Sequence, residues 1–164
     1  MDFLLGFHLS NLGITPRTTY GLIGIATAPL LHANIPHLVS NTIPMIFLGG
    51  VLFYFYPKVA NKVFISCYFF TNVMVWVFAR GGFNHIGASG LIYGLAFFLM
   101  FFGVFRKDMK SIFISLVVIL LYSGLFFGLF PTIPGISWES HLFGGVVGVI
   151  AAYYFSKSYP TSSK

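Results

Sequence analysis

Residues 83–98 read FNHIGASGLIYGLAFF, and the serine at position 89 stands between small residues at the head of a strongly apolar run. A hydroxyl there is either a bystander that bonds its own backbone or a nucleophile set inside a membrane. A bilayer-crossing helix needs about 20 mostly apolar residues. Five stretches have that length: Ile35–Tyr56, Val63–Ala79, Ile86–Phe105, Ser111–Phe130 and Ile136–Phe155. The gaps carry helix breakers, among them Pro57, Gly81-Gly82 and Pro131 to Gly135. Of the 164 residues, 57% are hydrophobic and 7% charged, whereas a soluble domain carries about 25% charged residues. So few charges cannot clothe a soluble surface. The chain is expected to be an all-α, polytopic bundle of transmembrane helices in one domain. Residues 1–34 form an outer interfacial region, in which Tyr20–Leu31 is too short to span. Residues 35–155 supply the five spans, and 156–164 a cytoplasmic tail.

The net charge of +6 does not point to nucleic acid, which needs basic residues gathered on one face. Here they stand in the short gaps between apolar runs, where Lys and Arg mark the cytoplasmic side. Lys58, Lys62, Arg106, Lys107, Lys110, Lys157 and Lys164 fall on one side, against Arg17 and Arg80 on the other. The first side is therefore read as cytoplasmic, and the Arg80–His85 and Phe130–Ser137 loops as facing outward. Cys67 is the only cysteine, which excludes an internal disulfide and leaves packing as its expected role. The start, MDFLLGFHLSNLG, lacks a basic n-region and a small-residue cleavage site, so no cleavable signal peptide is expected.

On that topology Ser89 and His141 lie near the outer ends of their helices, and His32, His37 and Asn41 near the outer start of the first span. Polar groups are costly in hydrocarbon and usually face a bundle interior or a water-filled cavity. Ser89 and Tyr93, four apart, share a helix face, as do His37 and Asn41. Gly90 and Gly94 form one GxxxG pattern, Gly144 and Gly148 another, and such pairs let helix backbones approach closely in lipid. Close approach is what a serine and a histidine on different helices need if the imidazole is to take the hydroxyl proton. The tetrahedral intermediate of such chemistry also needs hydrogen-bond donors already aimed at its oxyanion. His37, Asn41 and backbone N–H groups near Ser89 are candidates.

Together, HANIPHLVSN (His32, His37, Asn41), Gly87-Ala88-Ser89-Gly90 followed by Tyr93, and SWESHLFGGVVG (His141, Gly144, Gly148) resemble the rhomboid intramembrane proteases. The motifs stand in the family's order, and the resemblance covers about Gly13 to Phe155. It implies a serine–histidine dyad that cleaves peptide bonds in or beside transmembrane segments of substrate proteins. Ser89 would be the nucleophile and His141 the general base, with Tyr93 packed on the His141 ring. His37, Asn41 and the Ser89 N–H would form the oxyanion hole, supported by His32 and Ala88. The resemblance also implies an outer loop lying partly in the bilayer and a fifth helix that tilts to admit substrate. The family core has six helices where five spans are read here, so a first helix preceding Met1 is expected to be missing. The Trp-Arg pair of some rhomboid outer loops is not found.

Other readings compete residue by residue. A serine in a membrane helix ordinarily bonds a carbonyl one turn back, and Ser66, Ser111, Ser115 and Ser123 keep that reading. His85, four before Ser89, is a rival base placed in a loop. His32, His37 and His141 resemble a zinc set, but no HExxH occurs and the only acids are Asp2, Asp108 and Glu139. No metal or organic cofactor is expected. Glu139 is read as complementing its helix N-terminus, and Trp138, Tyr153 and Tyr154 as interfacial anchors. A non-catalytic protein that binds transmembrane clients and a small transporter or channel are the alternatives. The latter would place ionisable groups near the midplane, which the sequence does not. Membrane lipid and substrate transmembrane segments are the expected partners, and a bacterial plasma membrane the expected location, with the site near the extracytoplasmic face.

Overall fold

A computed structural model describes residues 9–131 and 137–159. Five long helices form the bundle: α1 (Ile35–Phe55), α2 (Pro57–Phe78), α3 (Ser89–Arg106), α4 (Met109–Tyr122) and α5 (Trp138–Ser158). In hydrocarbon every backbone polar group must be satisfied internally, which a helix does and an open strand does not. Among the described residues, four helices are long and apolar enough to cross a membrane: α1, α2, α3, and α4 with its continuation to Leu129. α5 has 21 residues, enough to span, but Glu139, His141 and Lys157 dilute its apolar character. It packs along α3 as part of the same bundle. Ile136, the expected start of the last span, and the tail from 160 onward lie outside the described residues.

α3 is the axis of the molecule. Buried positions make up 72% of its apolar window, against 17% in α1 and 28% in α2. Leu95, Phe98, Leu99 and Phe102 are fully enclosed. The contact with α5 is made through glycine. A Cβ on Gly144 would collide with the carbonyl oxygen of Gly90, and one on Gly148 with that of Gly94. Gly94 in turn lies against Cys67 of α2, whose Cβ would be 2.8 Å from an added methyl. The two GxxxG patterns thus meet each other and bring α3 and α5 backbone to backbone, while buried Cys67 fills the adjoining gap.

Three boundaries differ from the apolar runs. α2 begins at Pro57, six residues before Val63, because proline is tolerated in a first helical turn. Val59, Ala60 and Val63 are buried there while Lys58 and Lys62 stay exposed. α3 begins at Ser89 and not at Ile86, since Gly87 adopts φ +108°, a left-side conformation that only glycine takes without strain. α4 tightens after Tyr122 into a 3₁₀ stretch, Ser123–Leu129, none of whose residues is buried.

The two ends of the bundle are built differently. At the end away from Ser89, Tyr56, Phe98, Phe102 and Tyr159 form an edge-to-face and stacked aromatic cluster with centroids 4.8 to 6.4 Å apart. The Arg106 side chain is buried there on Asp108 (2.6 Å), which also caps α4 by accepting from the Ser111 N–H. Ser115 does not bond its own helix. Its hydroxyl donates to the Leu99 carbonyl (2.6 Å) and accepts from the Gly103 N–H (3.1 Å), pinning α4 to α3. At the Ser89 end, the segment before α1 folds into short turns held on α2. Asn72 Nδ2 donates to the Ile25 carbonyl and Trp76 Nε1 to the Thr18 carbonyl, both at 3.0 Å. Arg17 Nη1 caps the end of α2 through the Val77 and Ala79 carbonyls.

Candidate active site

Asn34 opens α1 by accepting from the His37 N–H (2.8 Å), which satisfies one of the first-turn donors and fixes where the His37 side chain leaves the helix. Asn41 follows one turn later. α3 begins at Ser89 with Ala88 as its N-cap and no side-chain cap. The N–H groups of its first turn, that of Ser89 foremost, therefore have no intrahelical partner and stand as donors beside the hydroxyl. His141 comes from the first turns of α5. His37, Asn41, Ser89, Tyr93 and His141 all line one cleft of about 620 Å³. Ala88 and His32 do not. They border a second hollow of about 270 Å³ that shares Asn41 with the first.

The His141 ring is held on two sides. It stacks on Tyr93 with centroids 4.1 Å apart and planes 3° from parallel. Its Nδ1 lies 2.9 Å from the Gly128 carbonyl oxygen, and because a carbonyl only accepts, Nδ1 carries the proton. The neutral ring then keeps its lone pair on Nε2, the form needed to accept a proton. His141 is 8% exposed, whereas Ser89 is half-buried at the cleft wall. No hydrogen bond joins Ser89 to His141 among the described residues. Catalytic hydrogen bonds are often long in unliganded sites and tighten only around substrate.

The backbone of the Gly87 turn faces α1. An added Cβ at Gly87 would lie 2.8 Å from His37 Cε1 and 2.9 Å from Nε2, so the imidazole sits where any other residue's side chain would begin. Asn41 donates one amide hydrogen to the His37 carbonyl (3.1 Å) and keeps the other for the cleft. His32 packs edge-on against His37 with centroids 5.2 Å apart. Burial, then the neighbouring His37, pushes the His32 imidazole below the ordinary histidine range.

The rhomboid domain family model matches residues 20–158, across all five helices. The chain belongs to the rhomboid family. It is similar to uncharacterized proteins of Mycobacterium bovis and Mycobacterium tuberculosis, each 39% identical over 95% of this chain and 68% of the relative. A Mycobacterium leprae relative is 38% identical over 95% of this chain and 65% of its own length. No solved structure matches the chain. A rhomboid with these apolar helices is an integral, multi-pass membrane protein.

Several site residues of this rhomboid escape a reading of the sequence. Gly128 is one glycine in the apolar run SGLFFGLF, and its use is its carbonyl, which no residue type announces. His85 is no free loop residue: it is 4% exposed, pairs with Ile14 through both backbone groups at 2.9 Å, and places Nδ1 2.5 Å from Ser137 Oγ. Burial pushes its imidazole below the usual range. Glu139 is 3% exposed and forms a two-pronged ion pair with Arg80, Nε to Oε1 and Nη2 to Oε2. That partner, 59 residues away, adds to the place of Glu139 in the first turn of α5, which is where the sequence puts it. Among the described residues, no group of three or more His, Cys, Asp or Glu is arranged to hold a metal.

Proposed function

We propose that this rhomboid is an intramembrane serine protease that hydrolyses peptide bonds in or next to transmembrane segments of other membrane proteins. The observation that carries the proposal is the doubly held His141. Stacked on Tyr93 and donating Nδ1–H to Gly128, the ring is fixed in the tautomer that leaves Nε2 as a base, and Ser89 lines the same cleft. Ser89 Oγ attacks the scissile carbonyl carbon as its proton passes to Nε2. The oxyanion is met by the unpaired first-turn N–H groups of α3 and the free Asn41 amide hydrogen, with His37 beside them. The C–N bond breaks as the imidazolium returns its proton to the leaving amine. Water then attacks the acyl-enzyme with Nε2 again taking the proton, and Ser89 is released with its hydroxyl restored. Seven basic residues on one side against two on the other support a cleft at the extracytoplasmic face of a bacterial plasma membrane.

The experiment is labelling of the purified chain in detergent with a fluorophosphonate, beside Ser89→Ala and His141→Ala. Labelling that vanishes with the first and falls by about 100-fold or more with the second is expected. The missing Ser89–His141 hydrogen bond favours a second reading, a client-binding rhomboid without hydrolysis. Absence of labelling in folded protein that still captures a transmembrane peptide would select it.

A further inference from the structure

His141 sits at the fourth position of α5, in a turn that lacks the usual protection. Ser137, the N-cap, makes no capping bond to that turn. Its hydroxyl lies 2.5 Å from His85 Nδ1 and 2.6 Å from Ser140 Oγ, so it reaches the turn through a side chain and leaves the first-turn N–H groups without a side-chain cap. An uncapped helix start is prone to fray, yet the base of the proposed dyad hangs from it. What ties the turn to the rest of the molecule is Glu139, whose buried carboxylate takes both Nε and Nη2 of Arg80. The Arg80 backbone N–H adds a long contact of 3.5 Å to the same carboxylate. Arg80 begins the strap of residues 80–88 that runs straight into Ser89. The strap is itself moored at two further points, the His85–Ile14 pairing and the Gly87 N–H on the Ala28 carbonyl (2.8 Å). The guanidinium also lies 4.8 Å from the Phe83 ring and 5.8 Å from the Trp138 ring, so it is braced by both chain segments it joins.

We infer that Arg80 and Glu139 are positioning residues, a clamp between the strap that leads to the nucleophile and the helix turn that carries the base. This rests on the protease reading of Ser89 and His141. The glycine contact of α3 with α5 sets how close the two helices lie. The clamp sets the rotation and height of the first turn of α5, hence where Nε2 stands relative to Ser89 Oγ. Neither residue lines the cleft.

Fluorophosphonate labelling reads the clamp directly. Ser89 Oγ forms a bond to phosphorus, fluoride leaves, and the hydroxyl proton goes to His141, so the rate follows dyad geometry without substrate binding. Arg80→Gln, Glu139→Gln, the double variant and Arg80→Lys are compared with Asp108→Asn, which weakens a fold contact at the opposite end. All are assayed well below their melting temperatures and corrected for the folded fraction. Each Gln variant should label about tenfold or more slowly than wild type, while KM for a cleaved transmembrane substrate stays within about twofold. The double variant should be no slower than either single one, as for two halves of one device, and Arg80→Lys should recover part of the rate. Asp108→Asn should melt earlier and label normally. Gln variants that behave like Asp108→Asn, or whose effects multiply in the double variant, overturn the clamp while leaving the protease intact. Wild type that labels no better than Ser89→Ala overturns the protease reading and the clamp with it.

Discussion

Gly128 stands where a methyl group would collide with Tyr93 Oη and lie 3.2 Å from His141 Nδ1. Tyr93 cannot swing aside without giving up its stack on the imidazole, so the ring pair has to move as a unit. Gly128→Ala is expected to slow fluorophosphonate labelling by about tenfold or more while changing the melting temperature less, because no residue of the segment is fully buried. Equal losses of labelling and stability would mean that the segment is a fold element first. The contrast with Ser89 shows what a sequence makes legible at this scale. A hydroxyl between small residues at the head of an apolar run is chemically out of place and can be noticed. A carbonyl that orients a histidine 13 positions later leaves no trace in residue type. Arg80 and Glu139 are both visible as charges in a chain that has few, but nothing local to either one names the other.

Among the helices, the glycine positions differ sharply in what they tolerate. Gly144 faces the Gly90 carbonyl, whereas a Cβ at the adjacent Gly145 would rest 3.4 Å from the Phe97 ring in ordinary contact. Gly144→Ala should therefore destabilise the bundle by about 1–3 kcal/mol through overpacking. Gly145→Ala should be neutral or mildly stabilising, as expected for an alanine replacing glycine inside a helix. Thermal or denaturant unfolding in detergent separates the two, and equal losses would show that α3 and α5 do not meet along the Gly144 face. The two patterns of glycines four apart are legible in the sequence as places where helix backbones can approach closely, though neither one names its partner. Helix starts were less legible. The charges at Lys58 and Lys62 made 57–62 look like a loop, although both amines point away from the bundle and the intervening Val59 and Ala60 are buried.

For the molecule as a whole, acid is expected to loosen the Ser89 end. His85 and His32 both have imidazoles pushed down by burial, so the folded protein favours their neutral forms. A depressed folded value means that the stabilising difference is present above the unfolded value of about 6.5 and is lost as pH falls through the folded one. Melting temperature should decline below about pH 6.5, less steeply in His85→Gln; a decline of equal slope in both would clear His85 of the effect. The inside-positive charge bias makes a separate prediction. In a Cys67→Ala background, cells carrying Phe83→Cys should react with an impermeant maleimide, while Lys62→Cys should react only after permeabilisation. The reverse pattern would invert the topology. Heating should expose one further asymmetry. The ordered aromatic and Ser115 contacts lie at the end of the bundle away from Ser89, whereas the Gly128 carbonyl belongs to a 3₁₀ stretch with no fully buried residue, which rests on the core only through the partly buried Leu125 and Leu129 and the Phe126 ring. Segments with few buried contacts open locally at far lower free energy than the whole fold. When this one opens, Nδ1 loses the acceptor that fixed its proton, and the imidazole is free to exchange tautomers. Loss of fluorophosphonate labelling on warming should then precede melting and reverse on cooling, so that the proposed dyad would switch itself off several degrees before the chain unfolds.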